Sequence, residues 1–120
     1  ALVATLDGAA SERYVAAGHE LLALAGSDGH VDLRGLLVEL AARGANEVLV
    51  EAGAQLAGAF ARQGLVDEYQ LFVAARFLGS SARPLLDLPL DRMAEARALK
   101  IVDIRAVGDD WLIVARPVAN

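Results

Sequence analysis

A carboxylate followed closely by small residues is the part of this 120-residue sequence best suited to chemistry. Glu51 follows the apolar run 48–50 and precedes Gly53, after which the spacing of Leu56 and Phe60 indicates a helix. The start of a helix presents backbone N–H groups and the positive end of the helix dipole, which suit an anion such as a phosphate. A glycine there also serves helix packing in many α/β proteins, so the residues alone leave both a ligand site and a packing role open.

Strand and helix signals alternate through the first half of the chain. We expect three strands there, at residues 2–5, 19–25 and 47–50. Asp7 or Ser11 can cap a short helix through Ala17, and Asp32 can cap a second helix with leucines at helical spacing. Short connections that contain a helix join parallel strands, so we predict a parallel sheet in this half.

The second half has a different pattern. A β-rich run at residues 68–78 leads into a polar loop at 80–89, and a short helical piece is expected at 91–97. Two final strands at 100–107 and 111–116 flank a turn and predict a hairpin. The sequence therefore predicts an α/β fold whose sheet is mixed, parallel at first and antiparallel at its end.

Composition excludes several classes of protein. A formal net charge of −5 without a basic cluster argues against nucleic acid as the main partner. No apolar run approaches the roughly 20 residues that cross a bilayer, so we expect no membrane segment and a cytoplasmic location. The chain has no cysteine, and His19 and His30 have no second ligand at a useful spacing, so we expect no metal site. The length suits a single domain, and the start at Ala1 suggests a piece of a longer protein.

Two stretches carry a resemblance to a known family. VEAGAQLAGAFARQGLVDEYQLFVAARFLG, followed by a loop and DIRAVGDDWLIVARP, resembles the C-terminal reductase domain of the RibD family, the bifunctional deaminase/reductases of riboflavin biosynthesis. The resemblance spans residues 31–117 and implies a dihydrofolate-reductase-like three-layer sandwich with a mixed, mostly parallel sheet and a C-terminal antiparallel hairpin. It also implies NADPH-dependent reduction of 5-amino-6-(5-phosphoribosylamino)uracil to the ribitylamino form. The family's zinc-dependent deaminase domain and the first part of its reductase domain have no counterpart in these residues, which we expect to be a fragment.

The resemblance also assigns roles to residues. Glu51 matches the glutamate of the family's V-E-[AG]-G motif, which lies at the small-molecule substrate, and we favour its orienting substrate hydroxyls over its donating a proton. No residue is assigned with certainty to catalysis. The turn and first helical turns that hold NADPH match Gly53, Ala54, Gln55, Leu56, Ala57, Gly58 and Ala59. The L-V-D-E motif at residues 65–68 leads into a sheet used in dimer contacts, so a homodimer is expected.

Two other interpretations fit the same residues. One is a non-catalytic, dimer-forming fragment, in which the apolar strand residues Leu71 and Val73 pack against a second copy. The other is a related dihydrofolate-reductase-like reductase that acts on another pyrimidine or pteridine. The residues present do not separate this related reductase from the riboflavin-pathway reductase that the resemblance implies.

Overall fold

The computed structural model describes residues 1–6 and 12–118. The chain divides into two compact units, Ala1–Leu49 and a second unit that begins at Val50. The predicted helix caps Asp7 and Ser11 lie outside the described residues. Each unit is described by itself below.

The first unit contains a parallel pair of strands and two helices. Strand β1 is Leu2–Thr5, helix α1 is Glu12–Ala16, strand β2 is Glu20–Ala23 and helix α2 is Leu33–Ala42. Strands β1 and β2 pair in parallel, with Leu2 opposite Glu20 and Thr5 opposite Ala23. The parallel pairing across a helical connection is as predicted. Strand β2 is shorter than the predicted 19–25.

Helix α2 begins where the sequence predicts. The Asp32 carboxylate accepts a hydrogen bond from the Gly35 N–H at 3.0 Å, and Leu33 is buried behind it. At the other end, Arg43 pairs with Glu39 at 2.8 Å and with Glu20 of β2 at 2.7 Å. Hydrogen bonds that the Arg43 guanidinium donates, to Glu39 first and to Glu20 second, hold the pKa of Arg43 above its ordinary value. Helix α2, with 10 residues, is the longest helix described. No helix in the described residues is long and apolar enough to cross a membrane.

The predicted third strand at residues 47–50 does not form. Residues 47–50 have no regular secondary structure, and Leu49 is 75% exposed. A β-strand is stabilised by the backbone hydrogen bonds of a ladder, and no described strand pairs with this segment. The β-branched and leucine side chains that suggested a strand are therefore not sufficient to form one. Parallel pairing in the described residues is confined to β1 and β2.

The second unit contains a helix and an antiparallel sheet. Its elements are helix α3 at Ala54–Arg62, strand β3 at Tyr69–Val73, a short 3-10 turn at Met93–Glu95, strand β4 at Leu99–Val107 and strand β5 at Asp110–Pro117. The order in the sheet is β3-β5-β4, and both pairings are antiparallel. The β-rich run predicted at 68–78 thus forms a strand over only five residues, because pairing with β5 ends at Val73 opposite Trp111.

The predicted C-terminal hairpin is present. Val107 pairs with Asp110, so Gly108 and Asp109 alone form the turn, and Gly108 has the positive φ of +61° that favours glycine at the first turn position. Strand β5 lies at the centre of the sheet and supplies most of this unit's buried apolar residues. Helix α3 supplies the others, and among the described residues of this unit the set is Phe60, Ala61, Leu112, Val114 and Ala115.

Candidate functional site around helix α3

Glu51 lies in an irregular, exposed segment just before α3. Its carboxylate has no hydrogen-bond or ion-pair partner within the described part of the chain. A carboxylate with a purely structural role is normally satisfied by nearby N–H groups, and this arrangement is not seen here. The side chain is therefore free to accept hydrogen bonds from a ligand.

The first turn of α3 is also open. Gly53 is the N-cap residue, with φ −69° and ψ 166°, and it offers no side chain to accept the N–H groups of the first turn. A Cβ built on Gly53 meets no protein atom within 4 Å. Gly53 and Gln55 are exposed, and Ala54 is half-buried. The structure thus places Glu51 and an uncapped helix N-terminus on the same exposed segment, where an anion or a hydroxyl-bearing ligand has access.

Further along α3, one predicted site residue faces the chain itself. Gly58 is buried, and a Cβ built on it would lie 2.9 Å from both the backbone nitrogen and the carbonyl carbon of Asp87. The Asp87 N–H also donates a hydrogen bond to the Ala54 carbonyl at 2.9 Å. The small size of Gly58 therefore serves the close approach of the 80–89 loop, and the space beside it is not open to a ligand.

Two arginines that sequence reasoning missed make further hydrogen bonds between α3 and the chain that follows it. Arg62 Nη1 donates to the Asp87 carbonyl at 2.5 Å. Arg97 Nη1 and Nη2 donate to the carbonyls of Ala61 and Arg62, at 2.5 and 3.1 Å. The only signal in the sequence was the small pair Ala54 and Gly58, four residues apart on one helix face, which permits close backbone packing.

The histidines lie apart from α3 in the sequence and belong to the first unit. His30 is exposed and lies 3.7 Å from the Asp28 carboxylate. The His19 Nδ1 atom is buried with no hydrogen-bond partner, and the His19 ring lies tilted at 44° to the Tyr14 ring, with 6.4 Å between ring centroids. Within residues 1–6 and 12–118, no three His, Asp or Glu side chains are grouped as a metal site requires.

Most of the chain matches one protein family. Residues 2–113 match the RibD C-terminal domain. The chain belongs to this family. A solved structure of RibD from Acinetobacter baumannii superposes on 98% of the chain with a TM-score of 0.82 and 28% sequence identity. The RibD-like, dihydrofolate-reductase-like α/β fold is therefore confirmed.

Curated relatives agree with this assignment. The riboflavin biosynthesis protein RibD of Escherichia coli K12 is 46% identical over 83 residues, which is 68% of this chain and 23% of that protein. The RibD proteins of Chlamydia trachomatis and Haemophilus influenzae are 43% identical over 84 residues and 37% identical over 86 residues, covering 69% and 71% of this chain and 22% and 23% of those proteins. The chain thus spans about a quarter of the length of these relatives, and 31% of the solved Acinetobacter chain.

Proposed function

We propose that this chain is part of an NADPH-dependent reductase of riboflavin biosynthesis, acting on 5-amino-6-(5-phosphoribosylamino)uracil. The observation that carries the proposal is the exposed segment on which Glu51 directly precedes the uncapped N-terminus of α3, in a chain of the RibD C-terminal domain family. NADPH, when bound, supplies a hydride to the sugar carbon. The protein's contribution is to position the two reactants and to orient the substrate's hydroxyl groups.

The start of α3 is the part of the chain that fits the cofactor's phosphates. Its first-turn N–H groups have no side-chain cap, and the helix dipole places partial positive charge at the same end. The open space at Gly53 allows a bulky ligand to approach the backbone closely. We therefore assign the cofactor contacts within Gly53–Ala59 chiefly to the first turn, because the side of α3 at Gly58 is covered by Asp87.

Glu51 is proposed to bind the substrate. An exposed carboxylate without an internal partner can accept hydrogen bonds from the ribose hydroxyls and so fix the sugar carbon beside the nicotinamide. This role requires only the ionised form of the side chain. We assign no proton transfer to it.

The test is NADPH binding to the 120-residue chain, measured by calorimetry and by nicotinamide fluorescence. We expect Gly53→Val to weaken binding at least about tenfold, since the added side chain fills the space through which the phosphates reach the helix. We expect Glu51→Ala to bind NADPH as the unmodified chain does and to lose binding of the phosphoribosylaminopyrimidine. Gly79→Val and Glu47→Ala are matched controls: a Cβ on Gly79 also meets no atom within 4 Å, and Glu47 is exposed.

Several results would contradict the proposal. Equal NADPH affinity in the Gly53→Val and Gly79→Val variants would remove α3 as the cofactor site. Loss of NADPH binding in Glu51→Ala would indicate that Glu51 contacts the cofactor and not the substrate. NADPH oxidation with a pteridine or another pyrimidine, and none with the proposed substrate, would identify a related reductase of the same fold. The proposed cytoplasmic location is tested separately, by fractionating cells that express the parent protein.

The antiparallel sheet favours a second function, self-association into a homodimer. Leu71 lies opposite Ile113, and Ile113 lies opposite Ile104, so the three side chains share one face of the sheet. On this face Ile104 of β4 is 52% exposed, Trp111 of β5 is 50% exposed, and Val73 of β3, opposite Trp111, is 45% exposed. Exposed apolar side chains that are contiguous across three strands favour contact with another apolar surface.

Sedimentation equilibrium at micromolar protein tests this second function. We expect a dimer that Ile104→Asp converts to a monomer, because an aspartate at the centre of the face would be buried without a partner. Val38→Asp is the matched control, since Val38 is 66% exposed on α2. A monomeric unmodified chain, or a dimer that survives Ile104→Asp, would show that this face does not form the dimer.

A further inference from the structure

The segment from Asp87 to Arg97 is attached to α3 at both of its ends. At the first end, the Asp87 N–H donates to the carbonyl of Ala54 in the first turn of the helix, at 2.9 Å. The carbonyl of the same residue accepts from Arg62 in the last turn, at 2.5 Å. One residue of the segment therefore bridges the two ends of the helix. We call residues 87–97 the docked loop.

The second end of the docked loop binds the C-terminus of α3. The Arg97 guanidinium donates to the carbonyls of Ala61 and Arg62 in the last turn of the helix, and the Ala61 carbonyl also accepts a hydrogen bond from the Gly64 N–H. A cation at this end is also favoured by the helix dipole. Charged donors make stronger hydrogen bonds than neutral ones, so Arg97 is a strong attachment.

The middle of the docked loop is held by its own contacts. Glu95 accepts hydrogen bonds from Arg92 Nε and Nη2 at 3.0 and 2.8 Å and from the Asp91 N–H at 3.1 Å. Between the two attachments, the chain is therefore ordered by local bonds. Gly58 allows the whole arrangement, because any side chain there would collide with the Asp87 backbone.

We propose that Arg62 and Arg97 are positioning residues: they dock residues 87–97 on α3 and thereby hold the first turn of the helix in the conformation that binds the cofactor. The proposal rests on the function proposed above. It gives Gly58 a role in this docking in place of a contact with the cofactor. Neither arginine is assigned a contact with cofactor or substrate.

Docking can be measured without any nucleotide, by hydrogen exchange of the Asp87 amide in NMR spectra of the full chain. We expect Arg97→Met to raise the exchange rate of this amide about tenfold, the effect of losing one charged hydrogen bond. We expect Gly58→Ala to raise it also, because the added Cβ collides with the Asp87 backbone. The amides of β5 should stay protected in both variants, which shows that the sheet remains folded. Arg105→Met and Gly79→Ala are the matched controls, because Arg105 bonds to Asp103 on β4 and Gly79 has open space beside it.

Positioning is measured by NADPH titration of the same variants. We expect Arg97→Met and Gly58→Ala to raise the dissociation constant about fivefold or more, a typical size for coupling between two sites. We also expect NADPH to slow exchange of the Asp87 amide in the unmodified chain, as reciprocal coupling requires.

The outcomes are separable. Unchanged Asp87 exchange in both variants would overturn the docking itself. Faster exchange with an unchanged dissociation constant would overturn the positioning role and leave only a structural one. If the unmodified chain binds no NADPH, the proposed function and the positioning role both fall, while the exchange data still decide whether the loop is docked by Arg97 and Gly58.

Discussion

Arg116 donates two hydrogen bonds to one carboxylate oxygen of Glu68, from Nη2 at 3.1 Å and from Nε at 3.2 Å. Glu68 directly precedes β3, and Arg116 lies near the end of β5, one residue beyond the pair formed by Tyr69 and Ala115. The ion pair therefore extends the β3–β5 ladder. It also gives the glutamate of the L-V-D-E motif a structural role in this chain.

Loss of this ion pair should cost little stability. We expect Glu68→Gln to lower the free energy of unfolding by about 0.5 kcal/mol, because both side chains are partly exposed and solvent screens the attraction. Urea denaturation of Glu68→Gln, Arg116→Met and the double variant would give the coupling energy. Asp67→Asn serves as the control, and an equal loss in that variant would show that the ion pair contributes nothing of its own.

The N-cap of α2 should contribute more to stability than the ion pair between Glu68 and Arg116. Asp32→Ala removes the acceptor for the Gly35 N–H and leaves the first turn of α2 uncapped. We expect a loss of about 1 kcal/mol in unfolding free energy. Thermal denaturation followed by far-UV circular dichroism measures it, with Glu47→Ala as an exposed acidic control. Asp32→Asn should retain most of the stability, and failure of that rescue would argue against capping as the cause.

The glycine that ends α3 should not tolerate a side chain. Gly64 has φ +65°, in the left-handed region where a Cβ is unfavourable, and Gly79 has no such conformation. We expect Gly64→Ala to destabilise the chain by about 1 kcal/mol and Gly79→Ala to change it by much less. Parallel denaturant titrations compare the two variants. Equal stability of the two would mean that the end of α3 adjusts its backbone at no cost.

The carboxyl group of Glu95 should titrate at a lower pH than an ordinary glutamate. Hydrogen bonds from Arg92, and then from the Asp91 N–H, hold the pKa of Glu95 below its ordinary value. A pKa lower in the folded than in the unfolded state contributes stability above the unfolded pKa, and that contribution is lost as the pH falls through the folded pKa. We expect Arg92→Met to move the pKa of Glu95 back towards its ordinary value. An NMR titration of the Glu95 carboxyl would show this, with Arg105→Met leaving the titration of Glu95 unchanged.

Features that depend on neighbouring residues were predictable from the sequence. The Asp32 cap, the start of α3 after Gly53 and the hairpin around Gly108 all formed as expected. Each of these depends on a side chain or a glycine acting within a few residues of its own position. The family, and with it the fold, was recognisable because motif order and spacing persist over a long stretch of chain.

Features that depend on partners distant in the sequence were not predictable from it. The segment at residues 47–50 has the composition of a strand, and it remains irregular because a strand needs a ladder partner that the described residues do not provide. The contacts of Gly58 and Arg97 were also not predictable, because their partners are distant in the sequence. Nothing local in the sequence joins Arg97 to the carbonyl of Ala61, 36 residues earlier.

The sequence by itself therefore determined helices α2 and α3, the hairpin, the family and the position of Glu51 just before α3. Only the tertiary structure decided which parts of α3 remain open. It left the turn at Gly53 accessible and covered Gly58 with the backbone of Asp87. The physical reason is that caps and turns are stabilised by short-range hydrogen bonds, whereas the covering of a helix face depends on where the chain returns after a long loop.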